Sequence, residues 1–289
     1  MNLSYEGYCR RFGFRVPKSY FQLMEIANRL QPDHPWNAFD PIGLLNLDDC
    51  GPEACSYTAP GDFVVLGWTG GDSIHYGFVL DDDINSGCAE RAIAMNDPIG
   101  TDTRLLANSL PEFLGFLCAN DIMQAYGDVS EKCFSEANAV AEVLQAEFGF
   151  KIPKTQLAAE KSARRERLRR GATPTEDRIG VMLPAETVDL RTIDRMARRI
   201  AGVNSWESSG PDERLLDEAE QRLSQGEIGT ALVIARNFRF HYWYSDWEGS
   251  RSFIRRTSDI LGRAYVALGR DYAAQALVKQ TEGALKNVT

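Results

Sequence analysis

The stretch GDFVVLGWTGGDSIHYGFVL, residues 61–80, decides the fold of the first part of the chain. Two apolar runs flank Thr-Gly-Gly-Asp at 69–72, which is typical of a tight turn between antiparallel strands. In the second run the large residues at 74, 76, 78 and 80 alternate with the others, which predicts a strand with one buried face. Three aspartates follow at once, at 81–83. This hairpin is suited to presenting a glycine-tipped turn and clustered carboxylates to a partner.

The segments around the hairpin predict an α+β domain. Pro17 fits the first turn of a helix, in which apolar side chains recur at helical spacing from Tyr20 to Leu30, and Ile93-Ala94-Met95 predicts a short strand. Ser109 and Glu112 have the spacing of a capping box and predict the start of a further helix. The predicted order is therefore a helix, a small antiparallel sheet and a closing helix.

Charge divides the chain unevenly. Of 289 residues, 41 are acidic and 32 are basic, which gives a net charge of −9. Residues 1–126 hold 17 acids and 7 bases, whereas the remainder is nearly neutral. An acidic module attracts basic partners and repels nucleic acid.

The pattern predicts three regions: an α+β domain at 1–126, a helical connector at 127–205 and helical hairpins at 206–289. The hairpins align on Gly226 and Gly269 and resemble tetratricopeptide units, although the standard repeat is shorter. The connector contains a basic run at 161–170, for which a solvated helix face is favoured over nucleic-acid contact or docking on the acidic module.

Several function classes lack support in the sequence. We find no long apolar segment and no secretory signal, so we expect a cytoplasmic protein. Phosphate-loop, zinc-protease and nucleophile-elbow motifs are absent, so we expect no catalytic residue. The six cysteines suggest no disulfide framework, and a zinc site built from Cys50, Cys55, His34 and His75 has unsuitable spacing. We therefore expect no metal and no cofactor.

Three segments of the first domain occur in a characteristic order: residues 12–20 (FGFRVPKSY), residues 70–81 around the hairpin turn, and residues 105–114 (LLANSLPEFL). They resemble the SUKH superfamily, which includes bacterial immunity proteins and cell-wall assembly regulators, and the third segment is similar to the helix that ends the family's domain. Together they span about residues 1–120. The resemblance implies an α+β fold that works by binding proteins without an active site. Many bacterial members neutralise a toxin, often a nuclease, by covering it.

Our first hypothesis is a non-enzymatic, immunity-type protein that occludes a basic toxin, for example a nuclease, with an acidic surface. The candidate partner-binding residues are Trp68, Asp72, His75, Tyr76, Asp81, Asp82 and Asp83, with Asp48, Asp49 and Glu53 adding to the field. The long helical half departs from the simplest family members and leaves an alternative, an adaptor that binds a peptide there. A hydrolase with an unrecognised site is a third possibility. The sequence does not indicate the oligomeric state.

Overall fold

The computed structural model describes residues 3–45, 47, 59–69, 74–81, 90–97, 102–201, 214–242 and 250–287. The helices are α1 (Tyr5–Phe12), α2 (Lys18–Leu30), α3 (Leu110–Leu117), α4 (Asn120–Val129), α5 (Glu131–Phe148), α6 (Gln156–Arg169), α7 (Leu190–Ala201), α8 (Arg214–Ser224), α9 (Ile228–Tyr242), α10 (Ser250–Ala267) and α11 (Asp271–Asn287). The strands are β1 (Phe63–Trp68), β2 (His75–Val79), β3 (Ile93–Asp97) and β4 (Asp102–Ala107). Within the described part of the chain, no helix is long and apolar enough to cross a membrane.

The chain forms two compact units. The first comprises Met1–Cys55, Phe63–Leu80 and Ile84–Arg170, and the second comprises Ser56–Asp62, Asp81–Asp83 and Gly171–Thr289. The second unit therefore takes in short segments on either side of the β1–β2 hairpin.

The first unit is built on a four-stranded antiparallel sheet of order β1-β2-β3-β4. Phe78 of β2 packs edge-to-face against three rings, those of Phe12, Phe14 and Tyr20, at centroid distances of 5.6–6.1 Å. This aromatic cluster fixes α2 and the end of α1 on one face of the sheet. The α+β prediction is confirmed at this level.

Two details of the sheet differ from the sequence prediction. All five residues of β2 are buried, so the prediction of one buried face is wrong. Gly77 explains part of this, because its missing side chain makes room for the Phe63 ring, which would lie 2.5 Å from an added Cβ. Residues 105–107, which the family resemblance groups with the closing helix, belong to strand β4, and that helix begins at Leu110, as the capping signal at Ser109 predicts.

Helix ends follow local sequence signals. The Ser109 hydroxyl accepts from the Glu112 N–H (3.3 Å), which confirms Ser109 as the N-cap. The Glu112 carboxylate reaches back, but it accepts from the N–H of Asn108 (2.9 Å), one residue before the N-cap. The motif Phe-Gly-Phe occurs twice, and in both cases its glycine ends a helix with positive φ: Gly13 (77°) after α1 and Gly149 (65°) after α5.

Helix α6, which carries most of the basic run, packs inside the first unit against β4 and α3. The Asn108 side-chain amide donates to the Ala163 carbonyl (3.0 Å), and Arg104 pairs with Glu160 (3.4 Å). Docking on the acidic module is one of the alternatives for the basic run, and α6 packs there against β4 and α3. Lys161, Arg164 and Arg165 are exposed on its outer face.

The second unit contains α7–α11, and consecutive helices from α8 to α11 pack against one another. Gly226 (φ 83°) lies in the turn between α8 and α9, and Gly269 (φ 71°) lies in the turn between α10 and α11. The two predicted helix–turn–helix units are therefore present.

Candidate protein-binding surface

Trp68 ends β1 and is the best-placed of the predicted binding residues. Its backbone pairs with His75 of β2 on one side and exchanges two hydrogen bonds with Leu45 on the other, at 2.9 and 3.0 Å. The hairpin closes just beyond it, where the Thr69 N–H donates to the Ile74 carbonyl (3.0 Å). The backbone of Trp68 is therefore held from both sides.

The Trp68 ring is fixed as well. It lies against the His75 ring, with centroids 4.1 Å apart and planes inclined by 54°. His75 is only 4% exposed, whereas Trp68 remains partly exposed. Trp68 is therefore an ordered aromatic side chain with part of its surface open to a partner, and His75 supports it from beneath.

Tyr76 lies inside the unit rather than on its surface. It is 7% exposed, and its ring packs against Phe113 of α3 at 4.9 Å. Burial, with a smaller effect from Tyr126, raises the pKa of Tyr76 above its ordinary value, against an opposing effect of Arg104. Tyr76 is therefore a neutral phenol that stabilises the sheet and presents almost no surface to a partner.

The structure places only one of the predicted acidic residues. Asp81 is partly exposed and belongs to the second unit. The remaining six lie outside the described residues: Asp48, Asp49, Glu53, Asp72, Asp82 and Asp83. The acidic surface as a whole therefore stays a prediction.

A groove between α10 and α11, which the sequence analysis did not identify, lies in the second unit and has a volume of about 770 Å³. Leu277 is part of its buried lining, and Val266 and Val278 line it while 56% and 57% exposed. The one sequence signal for it is Gly262, which lies in the interior of α10 and also lines the groove. The groove therefore exposes apolar side chains in a concave surface.

A buried ionic cluster was also missed. Arg236 of α9 donates through Nη1 to both carboxylate oxygens of Asp62, at 3.0 and 2.8 Å, and through Nε to Asp177. All three side chains are at most 3% exposed. Burial alone would lower the pKa of Arg236, but Asp177 and then Asp62 outweigh it and hold that pKa well above its ordinary value. The cluster is a structural link that joins the segment before β1 to α9.

The described residues offer no metal centre: nowhere among them do three or more His, Cys, Asp or Glu side chains gather. Cys50 and Cys55 of the zinc alternative lie outside the described residues. Cys9, Cys118 and Cys133 are free thiols, and burial raises the pKa of Cys118 to about 12.

Comparison with protein-family models finds no match to this sequence, and no curated protein matches it either.

Proposed function

We propose that this chain is a non-enzymatic, cytoplasmic protein of the SUKH immunity type that binds a basic protein, such as a toxin nuclease, through the surface around Trp68. The partner is a protein, with no direct contact to nucleic acid or membrane. The acidic residues predicted around the hairpin would steer this partner, and Trp68 would anchor it.

The observation that carries the proposal is the state of Trp68. Tryptophan is among the residues that contribute most to protein interfaces, especially where its position is fixed before binding. Here both the backbone and the ring of Trp68 are held, by Leu45 and His75, while part of the ring remains open. Binding would therefore cost little conformational entropy at Trp68.

Charge supports the same class of partner. The whole chain carries −9, and a nuclease is basic where it holds phosphate, so opposite charges would accelerate association. The resemblance of residues 12–20 and 70–81 to the SUKH superfamily supports an immunity role.

The test uses the full-length chain as bait in lysate of its own host, at low and moderate salt, with mass spectrometry of the bound proteins. We expect one basic protein in stoichiometric amount, bound less at moderate salt. Trp68→Ala should reduce its affinity about 30-fold, the effect of losing an interface residue worth about 2 kcal/mol. Replacing Asp81, Asp82 and Asp83 together by Asn should slow association and flatten its salt dependence.

Trp36→Ala is the matched control, because Trp36 is also a partly exposed tryptophan of the first unit. It should bind like the unmodified chain, and circular dichroism should show that both variants are folded. Equal capture by the Trp68→Ala and unmodified baits would contradict the proposal.

The alternative is a tetratricopeptide-like adaptor that holds a peptide in its helical half. The observation in its favour is the open groove between α10 and α11. This alternative is tested by identifying the molecule that occupies the groove, because a peptide-binding adaptor would hold a segment of another protein there.

A further inference from the structure

Gly262 lies in the interior of the 18-residue helix α10, where glycine lowers helix stability relative to alanine. Two other glycines of the second unit, Gly61 and Gly229, are explained by close neighbours inside the fold. An added Cβ at Gly61 would lie 2.8 Å from the Ala273 carbonyl oxygen, and one at Gly229 would lie 2.6 Å from Thr187 Oγ1. At Gly262 the same atom would meet only Leu277 Cδ2, at 4.0 Å. The fold itself gives no packing reason for this glycine, whereas a molecule entering the groove would.

The two sides of the groove carry different charges. The α10 side holds Arg255 and Arg263, with Asp259 paired to Arg263 at 3.1 Å, and the α11 side holds Asp271 and Glu282. Among the described residues, Arg255, Asp271 and Glu282 form no ion pair with an N–O distance of 4.0 Å or less. The groove therefore presents a basic side and an acidic side around an apolar floor.

The positions of these charges make the surface complementary to itself. Arg255 precedes the end of α10 by 12 residues and Glu282 follows the start of α11 by 11, so both lie about 17–18 Å from the turn. Arg263 and Asp271 both lie within about 6 Å of that turn. A two-fold axis parallel to the helices places α10 of one copy against α11 of the other. The turns between α10 and α11 then lie at the same level in the two copies. Arg255 then faces Glu282 of the second copy, Arg263 faces Asp271, and the symmetry repeats both pairs.

We propose that a second copy of this chain occupies the α10–α11 groove, forming a two-fold dimer in which Val266 and Val278 supply apolar contact. Gly262 lies about 7.5 Å and Val278 about 10.5 Å from the turn, so the open backbone at Gly262 receives the Val278 side chain of the other copy. A helical peptide would need acidic and basic residues in the same pattern to match the groove. The second copy already carries that pattern on its own α10 and α11.

The test is analytical ultracentrifugation of the full-length chain over a concentration series at low and high salt. We expect a monomer–dimer equilibrium that weakens at high salt, because exposed charges are screened. Arg255→Glu and Glu282→Arg should each raise the dimer dissociation constant about tenfold or more, since each sets two symmetric pairs in repulsion. An equimolar mixture of these two variants should restore association, as should the double variant.

Arg191→Glu is the matched control, because it makes the same charge change on an exposed position of α7, away from the groove. It should dimerise like the unmodified chain, and so should Trp68→Ala, which separates this proposal from the proposed function. A monomer at every concentration would refute the dimer. A dimer that neither charge reversal weakens would also refute it. The same holds if the two single variants dimerise more weakly but an equimolar mixture of them does not restore association.

Discussion

Replacing Arg236 by methionine should destabilise the second unit by about 3–5 kcal/mol, the usual cost of removing one partner from a buried ion pair. Arg236 is 3% exposed, and the carboxylates it would leave behind, Asp62 and Asp177, are 1% and 3% exposed. Neither carboxylate could regain water without local unfolding. The aliphatic part of methionine fills much of the arginine volume, so that the lost charge rather than a cavity dominates the change.

Arg256→Met is the matched comparison. Arg256 also bridges two carboxylates, those of Glu220 (3.0 Å) and Asp217, but these are 41% and 63% exposed. They return to water when the arginine is removed, so the loss should be only about 1 kcal/mol for the two pairs together.

The assay is urea unfolding of the full-length chain, followed by far-UV circular dichroism, with both variants measured alongside the unmodified protein. Adding Asp62→Asn and Asp177→Asn to Arg236→Met should recover part of the lost stability, because it removes the stranded charges. If the two arginine variants lose similar free energy, or if the asparagines recover nothing, burial of the carboxylates does not set the cost.

Three further predictions concern single side chains. Burial raises the pKa of Asp40, so the folded chain binds this proton more tightly than the unfolded chain does. Asp40→Asn should therefore stabilise the protein at neutral pH. This gain should disappear below the ordinary carboxyl pKa, where Asp40 is protonated in both the folded and the unfolded chain. A melting-temperature difference between the variant and the unmodified protein that stays constant across pH would contradict this. A thiol-specific reagent should label exposed Cys133 in the native protein but buried Cys118 only after unfolding, as peptide mass spectrometry would measure. Gly61→Ala should lower the free energy of unfolding by about 1–3 kcal/mol, because the new Cβ would lie 2.8 Å from the Ala273 carbonyl oxygen, and an unchanged melting temperature would contradict this.

Local signals in the sequence predicted local structure well. Thr-Gly-Gly-Asp at 69–72 marked the connection between β1 and β2, Ser109 and Glu112 marked the start of α3, and Gly269 marked the turn between α10 and α11. Each depends on residues that are close in sequence, so the pattern contains the physical cause.

Features that depend on distant residues could not be predicted in this way. Asp62 lies in the stretch that predicts the hairpin, yet its partner Arg236 lies 174 positions later, in α9. The complete burial of β2 likewise depends on the elements that pack against it, and the alternation of side chains along β2 does not reveal these elements. The candidate site shows the same division: Trp68 was found as an aromatic residue beside a turn, but the groove around Gly262 requires the register of two packed helices.

The fold also changes the meaning of the charge asymmetry. By position in the sequence, nearly all of the net charge lies in residues 1–126, whereas by structural unit it is shared. The first unit includes the basic helix α6 but not Asp62 or 81–83, and it carries 20 acids and 16 bases; the second carries 21 acids and 16 bases. Net charge therefore does not single out the first unit as the binding module. If a basic partner is steered by the chain as a whole, removing charge at 81–83, in the second unit, should reduce the salt dependence of association as much as removing Asp48, Asp49 and Glu53.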